Sequence, residues 1–475
     1  MAIFWGDLHA HCAVSYGNGT PQRALNNARE HLDFCSITGH AFWPDMPMDL
    51  KTQNRIIGMH FGGFAKLQHY WPELMQSLES ANTPGEFVTL PSYEWHSMEF
   101  GDYNCYFDST DVKLLDAPTP EKLAAVLRKQ SANWMMLPHH CGYVRSYRGI
   151  NWDAFDPARS PLVEIYSNHG CCEADDAYYA YHHSMGPRVG ESTLREGLLM
   201  GHRFGFYAST DNHDGYPGHY GHGRVGVLAS QLDRASIWDA LQHRKTLAST
   251  GAKFGMEMQL GDGKIGEVIS REANAPLRVD IEGTAPIERV DVVEAAGSDW
   301  QVRSLPAPYF SPQFAPGVYK VRIESGWGRG ENLSHWHIKT NIAEGRLLGC
   351  EPCFRYSPAD MTEQEACDRI LLCNEHKAEW ACRAIPNPAG LLGGTHFNAG
   401  GTQSVVLEID ANEKTCLEVK TGTLHFDLPI RELICHSTGR QVSGFGSPAI
   451  KIHRAVPQRE FSFHHEETYR PIDKT

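Results

Sequence analysis

Asp7-Leu8-His9-Ala10-His11 sets two histidines two residues apart, just after the apolar run Ile3-Phe4-Trp5. In extended backbone, residues two apart project to one side, so His9 and His11 are able to grip one ion together. Asp211 and His213 repeat the spacing after the apolar run at 204–208. Between these pairs, further donors recur where strands are predicted to end: His40 after 33–38, Glu94 after 87–90, and His139-His140 after 134–137. Imidazole nitrogens and carboxylate oxygens suit zinc, manganese or iron. A carboxylate such as Glu94 is able to bridge two metals ~3.5–4 Å apart, as in two-metal hydrolases, where a bridging water loses its proton readily. The expected metal ligands are therefore His9, His11, His40, Glu94, Asp211 and His213, with His139 or its neighbour His140. Glu94 and Asp211 are also expected to act at the reacting centre. His169 or Asp214, each close behind a predicted strand end, is a candidate to protonate a leaving group. Arg145, Arg148 and Arg224 follow ligand-bearing segments, where a guanidinium would bind a phosphate or carboxylate of a small substrate. Glu164 is expected either to orient a ligand from behind or to be one.

These residues need elements to position them. Thr20-Pro21 and Thr119-Pro120 each pair an N-cap residue with proline at the first helical position, and each opens a helix. Strand and helix signals alternate as far as the predicted helix at 237–243, which favours a parallel sheet or a β/α barrel. In such a barrel the C-terminal strand ends converge on one face, so ligands far apart in sequence would meet there. Near residue 255 the pattern changes to period-2 alternation, as in Leu277/Val279/Ile281, Val318/Val321/Ile323, Leu407/Ile409 and Ile450/Ile452. The second half therefore reads as antiparallel β structure. The expected division is a hydrolase barrel at 1–255 and a sandwich-like β region at 256–475, with a break near 385–401 into two modules.

The 475 residues carry a net charge of −14, which argues against a broad nucleic-acid face. Residues 1–7 show no signal-peptide pattern, and no window approaches the ~18 apolar residues of a membrane helix. The 13 cysteines are scattered, with no paired zinc-knuckle spacing. A cytoplasmic enzyme with reduced thiols is the simplest expectation, acting on a small, anionic molecule and able to form a homo-oligomer.

The segments Gly6-Asp7-Leu8-His9-Ala10-His11, Asp33 to His40, Leu137-Pro138-His139-His140 and Ala208 to His213 resemble, in that order, the four motifs of the PHP (polymerase and histidinol phosphatase) superfamily. Tyr93-Glu94-Trp95, Val163 to Ser167 and Ala240 to Gly251 resemble segments of an uncharacterised branch of it. The resemblance covers about residues 3–255. It implies a distorted (β/α)7 barrel, two or three divalent ions and phosphoester hydrolysis. Family ligands map onto His9, His11, His40, Glu94, His139, Asp211 and His213, with His140 as the alternative to His139. Two positions depart from the pattern: Gly39 stands where the second motif has an acid, and Tyr16 lies where an acid often follows the first. His96 and Asp102 are candidates for a further ligand after Glu94.

The leading expectation is a metal-dependent hydrolase acting on a small phosphoester. Amide or ester hydrolysis, or lyase chemistry, on the same metals is the first alternative, and a non-catalytic metal-containing binding protein is the second.

Overall fold

The computed structural model describes residues 1–181, 185–270, 274–306, 313–327, 334–355, 368–384, 401–444 and 447–470. The expected break at 385–401 lies almost wholly outside the described residues. The chain is mixed α/β and rich in strands, with few helices.

The N-terminal elements are β1 (Ala2–Asp7), α1 (Pro21–Arg29), β2 (Phe34–Ser36), β3 (Gly39–Phe42), α2 (Leu50–Ala81), β4 (Val88–Leu90), β5 (Ser92–Trp95), β6 (Asp102–Phe107), α3 (Pro120–Leu127) and β7 (Trp134–His139). They continue as β8 (Leu162–Ser167), β9 (Gly170–Cys171), α4 (Leu194–Leu199), β10 (Gly205–Ala208), β11 (Arg224–Ala229), α5 (Arg234–Gln242) and β12 (Thr246–Ser249). Both expected caps form: Thr20 Oγ1 accepts from Arg23 N at 3.1 Å, and Thr119 Oγ1 accepts from Lys122 N at 3.3 Å.

The strands form three ladders, ordered β12-β11-β1-β2-β4, β3-β5-β6-β7 and β10-β8-β9. They do not close into the expected (β/α)7 barrel. The reason is local. The chain turns from β5 straight back into β6, and β5/β6, β6/β7, β1/β11 and β11/β12 all pair antiparallel. Only β1/β2, β2/β4, β3/β5 and β8/β10 keep the parallel pairing that helical crossovers produce. Pro91, which has no N–H to donate, stands between β4 and β5 and interrupts that ladder.

The 32-residue helix α2 has no counterpart among the sequence expectations. Its buried positions Ile57, His60, Phe64, Leu67, Trp71, Leu74 and Leu78 recur every three or four residues, the spacing of one helical face. Leu67, Trp71, Leu74 and Leu78 pack with α1, β3 and β5 residues in one core cluster. A second cluster, with Leu8, Phe34, Val88, Leu137, Val225 and Leu241, lies under the first sheet.

From residue 255 onward the described structure is dominated by antiparallel strands, as the alternation predicts. Gly317–Gly326 pairs with Thr402–Ala411 and Ser334–Ala343 with Lys377–Ala384, and their inward residues build a further core that also takes in Tyr216. Every described cysteine is free. Among the described residues, no helix is long and apolar enough to cross a membrane.

Candidate metal centre

Asp7, at the end of β1, ties the first ligand segment to the last. Its Oδ2 accepts from Thr210 Oγ1 at 2.5 Å and Gly218 N at 2.7 Å, and its Oδ1 accepts from His9 N and Thr210 N, both at 3.1 Å. The two segments then run side by side. Asp211 N donates to His9 O at 2.7 Å and His11 N donates to Asn212 O at 2.8 Å. This register brings His9, His11 and Asp211 to one centre, and Asp211 holds φ of +52° to do so. His140 sits at φ +33°. Non-glycine residues rarely adopt such angles, and those that do cluster at functional sites.

Glu94 lies at the middle of the donors. Its Oε2 is 3.4 Å from His40 Nε2, 3.5 Å from His11 Nε2 and 3.8 Å from His9 Nε2. Its Oε1 faces His139 Nε2 at 3.0 Å and His96 Nδ1 at 3.3 Å. Asp211 divides in the same way. Its Oδ1 is 3.1 Å from His11 Nε2 and 3.4 Å from His9 Nε2, and its Oδ2 is 2.8 Å from His169 Nε2. His213 Nε2 lies 3.3 Å from His40 Nε2. Five overlapping groups of potential ligands result: His11/His40/His213, His9/His11/Asp211, His40/Glu94/His96, Glu94/Asp102/His139/His140 and His140/His169/Asp211. His96 and Asp102, the candidates for a further ligand, and His169, expected as a proton donor, lie in these groups, and both His139 and His140 face the cluster.

These donors fit divalent ions. His9 Nε2, both ring nitrogens of His11, and Glu94 Oε2 are buried without a hydrogen-bond partner. Leaving several such groups unmet costs about 1–3 kcal/mol each, which a cation among them would offset. Burial holds His11, His40 and His140 below the ordinary imidazole range, and burial together with His11 pushes His213 down to about 3. Neutral imidazole is the form that binds metal. Burial alone would raise Glu94 and Asp211. The surrounding histidines outweigh it (His96, His40 and His139 at Glu94; His9 and His169 at Asp211) and hold both well below the usual carboxylate range. His9 is the exception, raised despite its burial by Asp211 and Glu164. Its Nδ1 lies 3.1 Å from Glu164 Oε2, which leaves Nε2 turned to the centre. Glu164 Oε1 accepts from His140 N at 3.2 Å, so one buried carboxylate braces two histidines.

The expected arginines part company. Arg148 enters the donor cluster: its Nε donates to Asp102 Oδ2 at 2.8 Å, its Nη2 bonds Asp102 and lies 3.0 Å from His96 Nδ1, and it stacks over Trp43 at 4.9 Å. Arg145 is half-exposed and paired with Asp153 at 2.9 Å. Arg224 is fully buried and donates to Gly218 O at 2.9 and 2.6 Å, away from the ligand groups. His169 Nδ1 meets Tyr143 Oη at 2.6 Å. Asp214 Oδ1 accepts from Asn18 Nδ2 at 3.2 Å.

The two departures from the family pattern have packing reasons. A Cβ on Gly39 would stand 2.5 Å from Leu67 Cδ1, so any side chain there requires Leu67 of α2 to shift. Tyr16 stacks on His40 with centroids 3.5 Å apart, meets His60 edge-on at 4.9 Å, and fits only because α2 has glycine at Gly63. His60 also contacts Trp43 and His96, and burial pushes it down to about 3. His60 is the neighbour that sequence reasoning missed. The helical spacing of Ile57, His60, Phe64 and Leu67 is the signal that would have found it.

No family model matches the chain. An uncharacterised protein of Chlamydia trachomatis is 26% identical over 319 residues, 61% of this chain and 47% of that protein. An uncharacterised protein of Chlamydia muridarum is 25% identical over 243 residues, 46% of this chain and 38% of that protein. The chain spans about half the length, or less, of the curated relatives it matches. Among solved structures, it is similar to a two-domain protein from Bacteroides vulgatus, described as containing a predicted PHP-like metal-dependent phosphoesterase. That likeness covers 70% of this chain and 81% of the other at 13% identity, with a TM-score of 0.32.

Proposed function

We propose that this chain is a metal-dependent hydrolase of PHP type, with a centre of two or three divalent ions acting on a small phosphoester. The observation that carries the reading is Glu94, whose two oxygens face different sets of histidines, as a carboxylate bridging two ions must. His9, His11, His40, His213, His139 and Asp211 complete the ligand set, with His96, Asp102, His140 and His169 beside them. Imidazole mixed with carboxylate suits zinc, manganese or iron. Bound ions would supply the charge that acidifies a water molecule and polarises a phosphoryl group.

The protein's own groups do the rest. Glu164 and Ser15 hold the far ring nitrogens of His9 and His40, which fixes the rings' orientation. His169, held between Tyr143 Oη and Asp211 Oδ2, is the imidazole that would protonate a leaving oxygen at the centre. Among the described residues, Arg148 brings the one guanidinium to the donor cluster, held on Asp102, and would be the group to meet the anionic substrate. Residues 1–255 would form the hydrolase unit, and 256–475 a separate β region.

The test is elemental analysis of protein purified without chelator, with His9→Ala and Asp211→Ala beside wild type, and hydrolysis of an aryl phosphate monoester. Two or more ions per chain, lost in both variants along with metal-dependent turnover, support the reading. Full metal retention in both variants overturns the site, and bound metal without turnover on phosphate esters overturns the activity.

A further inference from the structure

A second concentration of charge lies away from the ligand groups, where the connection 214–223 meets the strands of the second half. Tyr220 N donates to Phe354 O at 2.9 Å, which seats the tyrosine against that region. Three guanidinium carbons surround its ring, with Arg322 at 5.0 Å, Arg224 at 5.7 Å and Arg355 at 5.9 Å from the centroid. Lys253 joins them. Its backbone N donates to Glu351 Oε1 at 3.0 Å, and its ammonium group is held down by burial and then by Arg224.

These four cations come from distant parts of the chain, yet none forms an ion pair among the described residues. Arg224 spends Nε and Nη2 on Gly218 O, Arg322 spends Nε on Ser404 Oγ at 2.9 Å, and Arg355 reaches Thr402 Oγ1 only at 3.4 Å. Arg224 Nη1 and Arg322 Nη2 are buried with no hydrogen-bond partner. The nearby acids make their hydrogen bonds elsewhere: Glu324 to His453 at 2.8 Å and Thr402 at 2.7 Å, Glu351 to the backbone N of Lys253 at 3.0 Å, and Asp33 to Trp5 N at 2.7 Å. Buried charge is retained only when it is paired, and leaving a buried guanidinium uncompensated is costly. Ring stacking orients the arginines but brings no negative charge.

We propose that Arg224, Lys253, Arg322 and Arg355 form a binding site for a small tetrahedral oxyanion, a phosphate or the phosphate of a monoester. Guanidinium forks match such an anion through paired N–H donors, and the two partnerless nitrogens are the donors it would satisfy. The site is separate from the metal centre but shares its backbone. His213 begins the connection that Tyr220 carries, and Gly218 on the same connection accepts from Arg224 and donates to Asp7. A bound anion would therefore fix the segment that presents His213.

Equilibrium dialysis of the full chain with radiolabelled inorganic phosphate, against chloride at matched ionic strength, tests this. The wild type is expected to bind one equivalent more than R322Q/R355Q, with that equivalent weakened about tenfold or more in the variant. D211N, altered at the metal centre, is expected to keep it, and R322K/R355K to keep part of it. Equal binding by wild type and R322Q/R355Q overturns the proposal, as does loss of all binding in D211N. Thermal unfolding of the wild type and D211N provides a reading independent of the arginine variants. Millimolar phosphate is expected to raise both midpoints above matched chloride, and no rise in either overturns the proposal.

Discussion

Replacing Glu94 by Gln keeps the side chain's shape and removes one negative charge from among five imidazoles. The nearest contacts are His139 at 3.0 Å and His96 at 3.3 Å on one oxygen, and His40 at 3.4 Å and His11 at 3.5 Å on the other. The carboxylate is 2% exposed, so solvent does little to screen its loss. Removing one partner of a buried charge interaction costs about 3–5 kcal/mol. At about 1.4 kcal/mol per factor of ten, metal affinity should fall by roughly two to three and a half orders of magnitude. The amide also leaves one oxygen where two had faced separate histidine sets, so the number of ions held should drop as well. Competition with a chelator of known affinity, read by elemental analysis after desalting, measures both quantities. Glu164→Gln is the control, since Glu164 braces His9 from behind at 3.1 Å and its loss should cost only about 10–100-fold. An E94Q protein that keeps wild-type stoichiometry with affinity within tenfold would refute the bridging role. So would a larger loss in E164Q than in E94Q.

Further outcomes follow from the same geometry. Introducing an acid with Gly39→Asp should destabilise the fold by about 1–3 kcal/mol, because Leu67 Cδ1 already stands 2.5 Å from the added Cβ. Denaturant unfolding of G39D with and without Leu67→Ala checks this, and an unchanged midpoint in G39D would be the contrary result. Burial pushes the Asp368 carboxyl from 3.8 up to about 7, against the pull of Arg383. The folded state then holds a proton that the unfolded state has released, so stability should fall as pH rises from about 4 to 7, by at most about 4 kcal/mol. Asp368→Asn should flatten that slope in thermal unfolding across this range, and an unchanged slope would count against it. Metal removal by chelator should lower the unfolding temperature of the wild type more than that of D211N, because only a bound ion relieves the partnerless donors around His9 and His11. Equal shifts would contradict that account.

Much of the centre was legible without coordinates. The period-2 spacing of His9/His11 and Asp211/His213, the proline-led caps at Thr20 and Thr119, and the alternation beyond residue 255 are local patterns, and local patterns follow directly from backbone geometry. What the sequence by itself determined was therefore which donors exist, which sit on extended segments, and where helical and antiparallel regions begin. Only the tertiary structure decided how they meet. The antiparallel returns at β5/β6 and β1/β11 opened the expected barrel, a matter of strand pairing that side-chain spacing does not encode. Both His139 and His140 lie in the donor groups, with His140 at φ +33°, an arrangement that adjacency in sequence does not reveal. The close approach of α2 crowds Gly39 and places His60 beside Tyr16, and the seam between the two halves of the chain gathers Arg224, Arg322 and Arg355 around one ring. Those outcomes depend on distances between segments remote in sequence, and packing alone sets such distances.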